Sequence, residues 1–236
     1  MTTRYFRLDR YLSKALQQSR QSLRPLLAAG QVRVNGEVVR DRQHRIGPFD
    51  RVEVADQLLQ AREPRYLMLN KPAGVVSATS DEHHMTVLDL VPEMLREELH
   101  LAGRLDFNST GLLLLTNDGV WSKRLSHPET GVWKHYRVTL ESALDESDVA
   151  AFAAGMRFEF EDLTTRPARL EILRADEADV WLQEGRYHQI RRMFAQRGNK
   201  VKTLHRLAVG NVVLDSMLAP GECRALTEAE VRSIAD

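Results

Sequence analysis

The stretch GRLDFNSTGLLLLTNDG, residues 103–119, carries the strongest fold signal in the chain. At its centre lies an unbroken apolar run at 112–115, which Gly111 precedes and the turn-forming residues 117–119 follow. A short apolar run bounded by turn residues predicts a fully buried strand. We therefore expect this segment to lie inside a sheet.

Two charged residues, Arg104 and Asp106, come just before this predicted strand. A carboxylate at the mouth of a buried strand is partly desolvated, and a nearby guanidinium helps to keep it ionised and nucleophilic. Two interpretations follow from these residues alone. The pair is either an ordinary loop ion pair or part of a catalytic site.

Four further segments, in the same order and at the same spacing as in a known family, accompany this stretch. They are RYLMLNKPAG (65–74), KHYRV (134–138), EGRYHQIRRMF (184–194) and LHR (204–206). Together the five segments resemble the RNA pseudouridine synthases, and specifically the branch that modifies ribosomal RNA at single uridines. In that family the Asp of the Gly-Arg-Leu-Asp motif is the essential catalytic residue, which implies that role for Asp106.

The resemblance also implies a reaction and a set of site residues. The uracil–ribose bond breaks, the base turns, and it rejoins the sugar through carbon, so no cofactor is implied, and no metal or nucleotide motif is found in the sequence. Tyr136 matches the tyrosine that stacks on the uracil, and Arg191 matches the basic partner of the Asp. Leu204 matches an apolar pocket residue, although core packing explains it equally well. Whether Asp106 attacks the sugar, attacks the base or abstracts a sugar proton stays open.

Charge is balanced over the 236 residues, with 33 Lys and Arg against 33 Asp and Glu, but it is unevenly distributed. Residues 1–60 carry eleven Lys and Arg against six acids, whereas the remainder carries 22 against 27. A basic module on an acidic body is typical of an interaction arm. The length suits one or two domains.

Cys223 is the only cysteine, so no internal disulfide can form, which fits a reducing compartment. No run approaches the ~20 apolar residues that cross a bilayer, and the Arg-rich start lacks the apolar segment of a signal peptide. We therefore expect a soluble, cytoplasmic protein with no membrane association.

The first sixty residues predict two short helices followed by a small sheet. Apolar residues at helical spacing begin at Leu8, and Asn35-Gly36 between two valine-rich runs is a strong hairpin signal. With the segment SRQSLRPLLAAGQVRVNG (19–36), this pattern resembles the alpha-L RNA-binding domain. The cations expected to face phosphates are Arg7, Arg10, Lys14, Arg20 and Arg24. The alternative is a solvated basic face, which the combined pattern makes the weaker interpretation.

Strands predominate after residue 64, and the helices between them are irregularly spaced. The fold class predicted is therefore α+β: a small N-terminal alpha-L domain joined to a catalytic domain with a mixed, mostly antiparallel sheet flanked by helices. The predicted domains are 1–58 and 64–236, with a linker at 59–63 because residues 55–64 show no clear strand period.

A basic helix is predicted at 187–197. Its apolar residues Ile190, Met193 and Phe194 share one face, and cations occupy the other, which predicts a polyanion facing the helix. The residues expected to contact RNA around the site are Arg104, Lys71, Arg186, His188 and Arg192.

Within the family, the segments PRYLMLNKP (64–72), DLTTRP (162–167) and EGRYHQ (184–189) favour the branch acting on 16S ribosomal RNA. Two alternatives stay open: a sister enzyme acting on 23S RNA, and a non-catalytic ribosome-assembly factor that kept the fold. The expected partner is ribosomal RNA within a small-subunit assembly intermediate. The chain is expected to be a monomer.

Overall fold

The computed structural model describes residues 5–234, and the chain divides into two compact units, Met1–Pro64 and Arg65–Asp236. The elements of the first unit are β1 (Phe6–Arg7), α1 (Leu8–Ala15), α2 (Arg24–Ala28), β2 (Val32–Val34), β3 (Glu37–Val38), β4 (Arg45–Ile46), β5 (Val52–Val54) and β6 (Gln57–Gln60).

The second unit contains the larger sheet. Its elements are β7 (Tyr66–Lys71), α3 (Glu93–Arg96), β8 (His100–Leu101), β9 (Thr110–Thr116), α4 (Gly119–Ser126), a 3-10 turn (Pro128–Thr130), β10 (Lys134–Leu140), α5 (Glu146–Ala154), β11 (Arg157–Phe158), β12 (Leu163–Thr164), β13 (Arg169–Arg174), β14 (Glu177–Leu182), α6 (Gln189–Gln196), β15 (Val201–Val209), β16 (Val212–Val213), β17 (Cys223–Ala225) and α7 (Glu228–Arg232). None of the helices within residues 5–234 has the length and apolar character needed to cross a bilayer.

The first unit packs its two helices against a four-stranded antiparallel sheet of order β3-β2-β5-β6. The predicted hairpin is confirmed: β2 and β3 pair across Asn35 and Gly36, whose φ angles of 53° and 85° are the positive values that such a tight turn requires. Leu8 and Leu12 of α1 are fully buried against this sheet, as the helical spacing predicts.

The predicted linker at 59–63 begins inside this sheet, because β6 pairs with β5 as far as Gln60. The Gln60 side-chain amide donates hydrogen bonds of 2.8 Å to the carbonyls of Gly47 and Asp50, and the hydroxyl of Tyr11 donates to the Leu59 carbonyl. β6 is an edge strand held by polar contacts rather than by buried alternating residues. The sequence of β6 therefore lacks the alternation of apolar and polar residues from which a strand is predicted.

The main sheet has the order β13-β14-β10-β15-β9-β7-β17, with β8 and β16 attached at its side. Within residues 5–234, the pairing of β9 with β15 is its one parallel contact, so the predicted mixed, mostly antiparallel sheet is confirmed. Residues 112–115 of β9 are all fully buried. Leu112 and Leu114 face one apolar cluster and Leu113 and Leu115 face another, which explains the continuous apolar run.

Gly111 permits the parallel contact between β9 and β15. Its φ is +99°, and a Cβ placed there would lie 2.3 Å from the backbone oxygen of Arg206. Only glycine combines this backbone angle with such a close approach. The start of β9, next to Asp106, is therefore fixed against β15.

The apolar face of the helix that flanks the site is buried as predicted, and it packs against a neighbouring strand. Tyr136, Val138 and Leu140 of β10 point to one face, and they share an apolar core with three residues of α6, namely Ile190, Met193 and Phe194. These contacts hold α6 alongside the middle of the sheet. Arg191 of α6 then lies near the loop that carries Asp106.

Candidate active site

A cleft of about 450 Å³ opens at the end of the sheet next to β9. Among its lining residues are six that the sequence singled out, namely Arg104, Asp106, Tyr136, Arg186, His188 and Leu204. Leu105 and Ile190 add apolar walls. A cavity with apolar walls and a few converging polar groups is the usual form of a binding site for a flat ligand.

Asp106 lies in the turn that leads into β9, and its backbone carbonyl accepts a hydrogen bond from the Ser109 amide at 3.0 Å. Its carboxylate is 30% exposed. Oδ2 lies 3.8 Å from Nε of Arg191, and Oδ1 lies 3.6 Å from Nε2 of His188. The carboxylate is therefore open to a ligand and faces two basic side chains.

Arg191 rather than Arg104 is the cation beside Asp106. The loop ion pair between Arg104 and Asp106, which the sequence left open as one interpretation, is not formed in the part of the chain that the structure describes, and the Arg104 residue is exposed. Arg191 stands on α6, and its Nη1 donates 3.1 Å to the Val201 carbonyl. Arg191 lies 85 positions away in the sequence, and it is the residue that the resemblance implied as the basic partner of the Asp.

Tyr136 and Leu204 lie on the neighbouring strands β10 and β15 and are 7% and 6% exposed. The face of Tyr136 that is not packed in the core lines the cleft. Its hydroxyl lies 3.5 Å from Nη1 of Arg206. The ring therefore forms a flat, buried wall of the cleft.

Arg206 is a residue that sequence reasoning quoted within a motif but did not assign. It is 3% exposed; Nε donates 2.7 Å to the Leu112 carbonyl and Nη1 donates 3.3 Å to the Arg104 carbonyl. It therefore connects β9, the loop before Asp106 and the Tyr136 hydroxyl. The signal that identifies it is a conspicuous one: an arginine in the middle of a buried strand.

Lys71 is placed differently from the prediction, which made it an RNA contact. It is fully buried, and its ammonium donates to the carbonyls of Pro72, Phe107 and Ser109 at 3.0, 3.1 and 2.9 Å. Burial lowers the pKa of Lys71 to about 8, an effect that the Asp106 carboxylate opposes and the Arg206 charge reinforces. The prediction was wrong because Lys71 holds the backbone that follows Asp106 and does not reach solvent.

Arg192 is also engaged within the protein. Its guanidinium forms two hydrogen bonds to the Glu161 carboxylate, at 2.5 and 2.6 Å, and stacks 3.7 Å from the centre of the Phe158 ring. The sequence around α6 shows few acids, but the hairpin β11–β12 supplies one from 31 residues away. The predicted RNA contact at Arg192 would require this ion pair to open.

Helix α6 begins later in the sequence than predicted, and an ordered loop with several hydrogen bonds precedes it. The helix begins at Gln189 rather than 187, and His188 occupies the N-cap position with a left-handed φ of 49°. Buried Glu184 accepts hydrogen bonds from Arg186 Nε at 3.1 Å and Gln189 Nε2 at 2.8 Å. The residues Arg186 and His188 therefore reach the cleft from an ordered loop.

The cations predicted to bind RNA in the first unit are mostly available. Arg10, Lys14, Arg20 and Arg24 are exposed. Arg7 is the exception, since it is only half-exposed and binds buried Asp9 through Nε at 3.2 Å and Nη2 at 2.7 Å. Its role in the fold of this unit competes with the predicted phosphate contact.

Comparisons with known proteins agree with these two units. The family model described as RNA pseudouridylate synthase matches residues 65–196, and the S4 domain model matches residues 6–52. One relative, named ribosomal small subunit pseudouridine synthase A from Pseudomonas aeruginosa, is 52% identical over 97% of this chain and 100% of its own length. The protein of the same name from Escherichia coli is 42% identical over 97% of this chain and 99% of its own.

A solved structure described as a pseudouridylate synthase superposes with a TM-score of 0.71 at 40% identity, covering 97% of this chain and 99% of the other. The N-terminal domain class predicted from two helices and a hairpin is confirmed by the S4 match. The family expected from the five motifs is confirmed as well, because its model spans more than half of the sequence and the relatives span nearly all of it. The chain belongs to the RNA pseudouridylate synthase family and carries an N-terminal S4 domain.

Proposed function

We propose that this enzyme converts one or more uridines of 16S ribosomal RNA to pseudouridine. The observation that carries the proposal is the cleft in which Asp106, Tyr136 and Leu204 lie together, with Arg191 3.8 Å from the carboxylate. Relatives with the small-subunit name that align along the whole chain support this substrate over a 23S RNA.

The residues divide the chemistry between them. The target uridine leaves its stack and enters the cleft, at a cost of a few kcal/mol. There Tyr136 lies against the uracil, Leu204 closes the apolar side, and the Asp106 carboxylate assists cleavage of the bond between uracil and ribose. Arg191 stabilises the negative charge of the carboxylate, and exposed Arg104 contacts a phosphate or fills the space that the base leaves.

The same five-segment match argues against a non-catalytic assembly factor. A protein that only binds RNA has no need for a carboxylate, a basic partner and a buried tyrosine in one cleft. We also propose that a cytoplasmic, monomeric chain meets its RNA within a small-subunit assembly intermediate. The exposed cations of the first unit, Arg10, Lys14, Arg20 and Arg24, would contact phosphates at a distance from the target.

Mapping of pseudouridines in ribosomal RNA from a deletion strain tests the proposal. We expect one or a few small-subunit positions to lose the modification, the wild-type gene to restore it, and Asp106→Asn to fail to restore it. Asn keeps the size and hydrogen bonding of Asp but lacks its charge. Loss confined to 23S RNA would assign the sister activity, an unchanged map would reject the enzyme assignment, and restoration by Asp106→Asn would remove Asp106 from the chemistry.

A further inference from the structure

Tyr187 is an exposed aromatic residue at the edge of the catalytic cleft. It lines the cleft and is 76% exposed, although an exposed tyrosine ring leaves a large apolar surface in water. One face of the ring is covered by the His188 imidazole, with the centroids 3.9 Å apart and the planes inclined by 16°. The His188 imidazole therefore supports one face of the Tyr187 ring.

The segment that carries this pair is held in place by several contacts. Gln189 receives a hydrogen bond from the Arg186 amide at 3.0 Å, and it donates one of 2.8 Å to buried Glu184. His188 adopts a left-handed backbone, which is uncommon for a residue other than glycine and marks a conformation that its surroundings impose. The exposed position of Tyr187 thus belongs to an ordered loop.

The location of the pair points to its ligand. His188 Nε2 lies 3.6 Å from Oδ1 of Asp106, so the stacked tyrosine is one residue removed from the group that faces the reacting nucleotide. Exposed Arg104 and Arg186 line the same cleft and suit phosphates. A flat apolar surface between cations matches an unpaired nucleobase, since single-stranded nucleic acids bind to aromatic platforms along basic grooves.

We propose that Tyr187, supported by His188, is the stacking platform for the base of a nucleotide directly adjacent to the target uridine. This subsite requires that neighbour to be unpaired, and so it selects a single-stranded or opened segment of RNA. The inference rests on the proposed function, because it names how the same cleft recognises its substrate. Tyr136 contacts the target base, whereas Tyr187 contacts the next one.

The test uses the full chain and a 16S RNA fragment containing the mapped uridine, with 2-aminopurine 5′ or 3′ of it. We expect binding to quench the fluorescence at one of the two positions with wild-type enzyme and with Tyr187→Phe, which keeps the ring. Tyr187→Ala abolishes the quench and weakens RNA binding about tenfold, as expected when one stack is removed, while the single-turnover rate at saturating RNA changes less than about threefold.

An abasic nucleotide at the responding position supplies the second arm. It weakens binding by wild-type enzyme about tenfold and leaves Tyr187→Ala unaffected, because the stack is already absent. Phe160→Ala, which removes a 96% exposed aromatic residue outside the cleft lining, is the matched control and leaves binding unchanged. An absent quench at both positions, or additive losses in the two arms, would overturn the subsite. An unchanged pseudouridine map in the deletion strain would instead reject the proposed function.

Discussion

Arg191 Nε and Asp106 Oδ2 lie 3.8 Å apart, which brings opposite charges together without forming a hydrogen bond. The guanidinium is anchored elsewhere, through the 3.1 Å bond from its Nη1 to the Val201 carbonyl. The interaction therefore depends mainly on charge. It leaves the carboxylate oxygens free to approach a substrate.

Substitution of Arg191 separates charge from geometry. We expect Arg191→Lys to keep part of the activity, because an ammonium supplies the same charge, and Arg191→Met to lose nearly all of it. Single-turnover rates at saturating RNA measure the difference, with thermal unfolding as the control for folding. Equal losses in both variants would show that the planar guanidinium itself is required.

Lys71→Met tests how far this lysine holds the loop that follows Asp106 in place. Methionine fills the space but leaves the carbonyls of Phe107 and Ser109 without their buried donor, so the loop after Asp106 loosens. We expect the saturating rate to fall at least about tenfold while RNA affinity changes little, since a small displacement of a reacting group costs this much or more. Lys123→Met removes an exposed lysine as control. An affinity loss with an unchanged rate would return Lys71 to the residues that bind RNA.

Gly111→Ala is expected to destabilise the second unit severely. The substitution adds a positive-φ penalty of about 1 kcal/mol to a clash with the Arg206 backbone, for a total of about 3 kcal/mol or more. Gly221→Ala separates the two causes, because Gly221 has a φ of +91° and nothing within 4 Å of an added Cβ. Its cost is about 1 kcal/mol. Chemical denaturation measures both, and equal losses would contradict the close approach at Gly111.

Lys134 gives the stability a pH dependence. Burial, with the charge of Arg206, lowers its pKa from 10.5 to about 8, against an opposing effect of Glu184. Between about pH 8 and pH 10.5 Lys134 is more protonated in the unfolded chain than in the folded chain. Its contribution to the free energy of unfolding therefore rises with pH. From pH 7.5 to 9.5 we expect Lys134→Met to lack about 1–2 kcal/mol of the wild-type rise in denaturation measurements. Parallel curves for the two proteins would contradict a depressed lysine pKa.

The exposed cations of the first unit are expected to set the salt dependence of RNA binding. Neutralising Arg10, Lys14, Arg20 and Arg24 to Gln lowers affinity and flattens the salt slope by about 0.7–0.9 for each phosphate that is no longer neutralised. The rate at saturating RNA stays unchanged, because the cleft residues lie in the second unit. A matched variant neutralises the same number of exposed cations in the second unit, namely Lys123, Arg169, Arg174 and Arg232. Identical slopes in the two variants would contradict a specific role of the first unit.

The sequence alone predicted those elements whose apolar side chains pack directly into the core. The run at 112–115 predicted its strand because all four of its side chains are buried in the core. Lys71 was misassigned because carbonyls of a distant segment hold its ammonium in the interior. The RNA contact at Arg192 stays a prediction, and it competes with an ion pair to a carboxylate 31 residues away. The resemblance pointed to Asp106 and to Arg191 as its basic partner, whereas the sequence left open an Arg104–Asp106 ion pair that the described residues do not form. The sequence shows where a charged residue stands, but the partners of Lys71 and Arg192 depend on how distant segments pack against them.

Arg206 has a consequence for the order in which the enzyme becomes active during synthesis. Its guanidinium bonds reach carbonyls that lie 94 and 102 residues earlier in the chain. At a translation rate of about 5–20 residues per second, the Asp106 loop emerges several seconds before the arginine that fixes it is made. A nascent chain stalled in that interval contains the whole first unit but lacks the arginine that contacts the loop before Asp106 and the Tyr136 hydroxyl. The activity is thus withheld until nearly the whole polypeptide has been translated.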